Sequence, residues 1–101
     1  MSEWSVHMII VSGHLYVDPV ERDQYLRESA EIMRQARGWA GCWDFTLTAD
    51  PLEPDRINVY ERWDSDEALL RFRNEATAPA QAAEIRVNHV TKYRIASTEA
   101  P

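Results

Sequence analysis

The run from Ile57 to Phe72, I-N-V-Y-E-R-W-D-S-D-E-A-L-L-R-F, limits the fold more than any other stretch, because its hydrophobic period changes midway. Ile57, Val59 and Tyr60 are β-branched or aromatic and suit a pleated, half-buried surface, so the first half reads as a strand ending at Trp63. Asp64 is placed to cap a helix, and Glu67, three residues on, can return a hydrogen bond to the cap as in a capping box. Ala68, Leu69 and Phe72 then share one helical stripe. A strand that turns at once into an amphipathic helix belongs in a layered fold with helices against a sheet.

The rest of the chain repeats that theme. Met1 to Ser5 reads as a tail and Val6 to Val17 as a long strand. His7, Ile9, Val11, Gly13, Leu15 and Val17 lie on one side of it and Met8, Ile10, Ser12, His14 and Tyr16 on the other. The first set is the more apolar and is assigned to the helices. Asp18-Pro19-Val20-Glu21 then opens a helix, with Asp18 as cap and Pro19 in the first turn. Leu26, Ser29, Ala30, Met33 and Ala36 form its buried face, and Gly38 ends it. Trp39 to Ala49 is the second strand, residues 50–55 a turn cluster with two prolines, and Arg56 to Trp63 the third strand. Asp64 to about Asn74 is the second long helix. The Ala-rich segment 75–86 predicts a short extra helix near Pro79, Val87 to Ser97 the last strand, and Thr98 to Pro101 a tail. The order β-α-β-β-α-β is the split βαβ, or ferredoxin-like, arrangement: α+β, with helices on one face of an antiparallel sheet. The second side of the first strand is also rather apolar, so a second copy of the chain is expected to cover it as a homodimer.

With 101 residues the chain is one domain, residues 1–101. Cys42 is its only cysteine, so no internal disulfide forms and a cytoplasmic setting is expected. No basic segment followed by an apolar run marks the N-terminus as a secretory signal. The apolar run Met8 to Val11 is too short to cross a bilayer. Seventeen acidic residues against eleven basic ones give a formal charge of −6, which disfavours nucleic acid and anionic membranes as partners.

Five motifs in order along the chain resemble one family. They are Gly13-His14-Leu15-Tyr16-Val17, the helix opening Asp18-Pro19 through Tyr25-Leu26, the bend Arg37-Gly38-Trp39-Ala40-Gly41-Cys42, the hairpin turn Asp50-Pro51, and Y-E-x-W-x-S-x-E-A-L from Tyr60 to Leu69. From about Met8 to Thr91 the chain resembles the antibiotic biosynthesis monooxygenase (ABM) domain, whose ferredoxin-like units pair into a dimeric α+β barrel. The resemblance implies oxygen insertion into a small electron-rich aromatic substrate, such as an anthrone or hydroquinol, with neither flavin nor metal as cofactor. The haem-degrading branch of the family uses a histidine after the second helix and an asparagine in the first strand. Residues 77–83 here contain no histidine, and Gly13 stands at the asparagine's place, so haem degradation is not expected.

Such chemistry needs a dry pocket for the ring, a base that forms the substrate anion, and a donor for the developing oxyanion. Trp63, matching the family's tryptophan, is the first pocket candidate; Trp43 is a second. Either can stack on a ring, and either can be ordinary core. His14 and His89 are the candidate bases, since histidine titrates near neutral pH; each can equally be a satisfied structural histidine or lie at a dimer face. Asn58, Tyr60, Tyr16 and Tyr93 can position a substrate oxygen or serve as plain strand residues. Arg62 and Arg94 can hold an anion or pair with surface carboxylates. Glu61 reads as half of a structural ion pair. Cys42 has no adjacent base to activate it. No metal site is expected: His7 and His14 face opposite sides of one strand, and a site on His89 would still need carboxylates. Two other classes remain. One is a non-catalytic dimeric small-ligand-binding module on the same fold. The other is an RNA-binding domain of the same strand order, which the negative charge and the lack of an RNP pattern oppose.

Overall fold

The computed structural model describes residues 8–101; the expected tail Met1 to Ser5, with Val6 and His7, lies outside them. Six elements follow in the order β1 (Met8–Tyr16), α1 (Arg22–Arg37), β2 (Cys42–Ala49), β3 (Arg56–Trp63), α2 (Asp66–Glu75) and β4 (Val87–Ile95). The strands form one antiparallel sheet in the order β2-β3-β1-β4. This is the ferredoxin-like α+β order expected from the hydrophobic periods.

Alternation along β1 decides what each sheet face does. Ile9, Val11 and Leu15 are buried, and in β3 so are Ile57, Val59 and Trp63. These residues face the helices, where Phe45 of β2, Ala36 of α1, and Ala68, Leu69 and Phe72 of α2 complete the larger core cluster. Trp63, Ile9, Ile57 and Leu69 are wholly buried, each removal of such a side chain from water contributing roughly 1.5–3 kcal/mol. Leu15, Val17, Tyr25, Ile57 and Val59 form a second cluster at the other end of the sheet. The alternate residues of β1, from Met8 to Tyr16, lie on the face away from the helices and are only half-buried.

Gly13 stands opposite Val90 where β1 pairs with β4. Its φ is +150°, and a Cβ there would lie 1.9 Å from the carbonyl oxygen of His89. Only a glycine lets the β4 backbone approach this far.

Four expectations need correction. Helix α1 starts a turn later than Pro19, because the Asp18 carboxylate closes a tight turn by accepting from Val20 N at 2.9 Å instead of capping the first helical turn. Ser65, not Asp64, caps α2: its hydroxyl accepts from Ala68 N at 3.1 Å, and Glu67 instead pairs with Arg71 at 2.5 Å. Strands β2 and β4 are shorter than expected, starting at Cys42 and ending at Ile95. Residues 76–86 form no helix. They run as a strap whose N–H groups are taken by side chains of α1: Gln35 Oε1 accepts from Thr77 N at 2.8 Å and Glu28 Oε1 from Ala82 N at 3.0 Å. Those N–H groups are committed to α1, and alanine's helix propensity is too weak to reclaim them.

Candidate functional site

The sheet's inner face carries one acid among apolar neighbours. Glu61 shares its side of β3 with Ile57, Val59 and Trp63, and stands between Val11 of β1 and Phe45 of β2. It lines a cavity of about 270 Å³ between the sheet and the helices. Val11, Leu15, Phe45, Leu47 and Val59 form its floor, Tyr25 and Ile32 of α1 one wall, and Asn88 and Val90 of β4 the other. Arg73 of α2 and Gln81 and Ile85 of the strap also line it. The lining is mostly apolar with a few convergent polar groups, the character of small-molecule sites.

Two opposing influences act on the Glu61 carboxyl. Burial pushes its pKa above the ordinary 4.5, while a hydrogen bond from Trp63 Nε1 to Oε1 at 3.0 Å and the charge of Arg73 pull it down; burial prevails. A carboxylate whose proton affinity is raised within an apolar cavity is a stronger base than one in water. Burial also raises the Tyr25 phenol, and it pushes the half-buried Cys42 thiol up to about 11, which leaves that thiol protonated and unreactive near neutral pH.

The strap is fastened by more than its N–H groups. Gln81 Nε2 donates to the buried hydroxyl of Ser29 at 2.9 Å, and that hydroxyl donates to the Tyr25 carbonyl at 2.7 Å. At its far end Arg86 pairs with Asp18 at 2.8 Å, and Arg86 N donates to the Tyr16 carbonyl at 2.8 Å. Lys92 and Arg94, on the helix side of β4, both reach Asp66 in the first turn of α2.

The residues singled out from sequence fall in three places. His14, Asn58, Tyr60 and His89 are on the outer face of the sheet, opposite the cavity. His14 pairs with Asn58 on β3 and with His89 on β4, so the three form one row. The His14 and His89 rings stand 5.1 Å apart between centroids. Both ends of the Asn58 amide are engaged, its Oδ1 accepting from Arg56 Nε at 2.8 Å and its Nδ2 donating to Asp50 at 2.9 Å. Tyr16 donates from its hydroxyl to Glu53. Trp43 occupies the irregular step in β2 between Cys42 and Asp44, is 62% exposed, and stacks its ring 4.6 Å from the Arg62 guanidinium. Trp63 is 0% exposed and packs on Phe45 and Phe72. It does not line the cavity itself, but its neighbours Glu61 and Phe45 do.

Glu61 was read from sequence as an ion-pair partner. A sharper signal was available: it is the one charged residue in the otherwise apolar alternation Ile57, Val59, Glu61, Trp63. Tyr25 and Arg73 carried no such mark, since their facing depends on how α1 and α2 settle on the sheet. Among the described residues, no helix is long and apolar enough to cross a membrane.

A family model described as antibiotic biosynthesis monooxygenase matches residues 8–84. The Bacillus subtilis (strain 168) protein named "Putative monooxygenase YcnE" is 28% identical over 68 residues, which cover 67% of this chain and 70% of that protein. Among solved structures, one from Chloroflexus aurantiacus J-10-fl described as a "putative Antibiotic biosynthesis monooxygenase" superposes with a TM-score of 0.68 at 22% identity, covering 92% of this chain and 97% of that one. A heme-degrading protein of Mycobacterium tuberculosis gives 0.65 at 18% identity, covering 95% and 99% respectively. At these identities the two structures speak for the fold alone.

Proposed function

The chain belongs to the antibiotic biosynthesis monooxygenase family, and on that premise we propose that it oxidises a small aromatic substrate of the anthrone or hydroquinol class with molecular oxygen, in the cavity beneath the strap. The observation that carries this reading is Glu61, a carboxylate raised by burial and placed on the floor of an apolar cavity. Only the substrate anion gives an electron readily to dioxygen, so the protein's task is to make and hold that anion. Glu61 takes the first proton, from a phenolic O–H or an activated ring C–H. The anion passes one electron to dioxygen, and the two radicals join to form a C–O bond as a peroxide. The peroxide's O–O bond then breaks: one oxygen atom stays on the ring as a carbonyl, and the other leaves as water with the two hydrogen atoms the substrate loses. Arg73, Gln81 and Asn88 line the same space and are the donors for the oxyanion and peroxide.

The test is oxygen uptake by metal-free, flavin-free protein with a panel of anthrones and hydroquinols, corrected for autoxidation. Uptake above background is expected, with one oxygen molecule consumed per quinone formed. A thermal shift with these compounds but no uptake would replace the enzyme by a non-catalytic ligand-binding module.

The same reading includes a homodimer. Half-buried Met8 and Ile10, Tyr93 at 50% exposure and Trp43 at 62% lie on or beside the outer face, and a second copy is the partner that would cover it. Light scattering at micromolar concentration is expected to give twice the chain mass of 11.7 kDa; a single chain mass would remove the dimer.

A further inference from the structure

We propose that Trp63 is the positioning residue for Glu61: its indole N–H holds one carboxylate oxygen so that the other is presented to the cavity. The inference rests on the reading of Glu61 as base and assigns Trp63 a role other than stacking on the substrate. Three observations carry it. Trp63 is 0% exposed, with no ring surface left for a ligand. Its ring is fixed by an edge contact with Phe45 (centroids 6.4 Å apart, planes at 87°) and a tilted contact with Phe72 at 5.2 Å. Its Nε1 lies 3.0 Å from Glu61 Oε1, two residues away on the same side of β3.

The physics follows from burial. An indole N–H wholly removed from water requires an acceptor, and the Glu61 carboxylate supplies it. A glutamate side chain left free in the cavity would sample several rotamers; a charge-assisted bond to a rigid indole selects one. The same bond favours the ionised form and so limits how far burial can raise the proton affinity. The other ionisable groups on elements packed around Glu61 are Arg73 of α2, Tyr25 of α1, Cys42 of β2 and Lys92 of β4. The Tyr25 phenol and the Cys42 thiol are both raised by burial and stay neutral across the range in which a carboxyl titrates. Lys92 is engaged by Asp66, and Arg73 acts on Glu61 through its charge; the hydrogen bond to the carboxylate comes from Trp63.

Carboxyl carbon NMR of the full chain, without substrate, reads the Glu61 titration directly. In the wild type the Trp63 indole proton is expected to titrate with the same midpoint as the Glu61 carboxyl carbon. In Trp63→Phe the Glu61 midpoint is expected to rise by about 1–2 pH units, the ordinary strength of a hydrogen bond to a charged group. Should the phenylalanine variant fail to fold, benzothienylalanine at this position keeps the bicyclic shape and deletes only the N–H, and the same rise is expected. In oxygen uptake, either replacement is expected to lower kcat about 10–100-fold with little change in KM, and to move the acid limb of the pH profile upward with the carboxyl titration. A Glu61 midpoint unmoved by loss of the N–H would overturn the proposal, as would a raised KM at unchanged kcat, the mark of a ring that binds substrate. Because the titration needs no turnover, a moved midpoint in a protein that consumes no oxygen would leave the dyad standing while the enzyme reading falls.

Discussion

Glu61→Gln is expected to lower oxygen uptake by about 10²–10⁴-fold, the usual contribution of a positioned general base, while making the protein no less stable at neutral pH. The amide keeps an acceptor for the Trp63 indole and nearly the same volume, so the packing around Phe45 and Phe72 persists. The stability effect has the opposite sign from the activity effect. Glu61 in the folded chain holds its proton more tightly than the ordinary value of 4.5, so folding is favoured when the group is protonated. That advantage is fully present below 4.5 and is lost as pH rises through the raised folded value. Glutamine has no such dependence, and its denaturant midpoint should therefore match or exceed that of the wild type at pH 7. The wild-type acid limb should lie above 4.5 for the same reason. The same assay on His14→Gln and His89→Gln decides between the two sheet faces: turnover lost there and kept in Glu61→Gln would move the chemistry to the outer face.

Gly13→Ala is the substitution with the largest expected cost in stability. The new Cβ would have to occupy a position 1.9 Å from the His89 carbonyl oxygen and 2.9 Å from the Val90 Cα, at a φ of +150° that L side chains rarely adopt. Backbone strain and the forced separation of β4 from β1 together should cost about 3–5 kcal/mol, a large share of an ordinary domain's stability. Urea denaturation reads the total, and amide exchange locates it. Protection should fall first along β4, whose only sheet partner among the described residues is β1. A variant within about 0.5 kcal/mol of the wild type would show that the strands can part locally at little cost.

The fold was legible because it rests on period. Ile9, Val11 and Leu15 announced the inner face of β1, and the same two-residue spacing in β3 placed Ile57, Val59 and Trp63 against the helices. The site was less legible because side-chain chemistry and facing point to different residues. His14 and His89 carry the side chain most often used as a base, yet period puts them on the outer face; Glu61 seemed ordinary, yet period puts it inside. The cap of α2 shifted by one residue because Asp64 and Ser65 are both good caps; Ser65 meets Ala68 N, while the Asp64 carboxylate accepts from the Ser65 hydroxyl at 3.1 Å. The strap was the least legible element. Its conformation is dictated by Gln35 and Glu28, which lie 42 and 54 residues before the N–H groups they hold, and local composition carries no trace of them.

The strap also separates chemistry from selection. Glu61, the proposed base, sits on a β-strand in the middle of the sheet, where a change of register would turn every neighbour to the wrong side. Above it, residues 76–86 contribute only Gln81 and Ile85 to the cavity wall and hang on α1 by side-chain bonds. Insertions into such a loop cost little, since closure entropy grows only with the logarithm of its length. New ligands can thus be admitted by rewriting the strap one or two residues at a time while the floor is inherited unchanged.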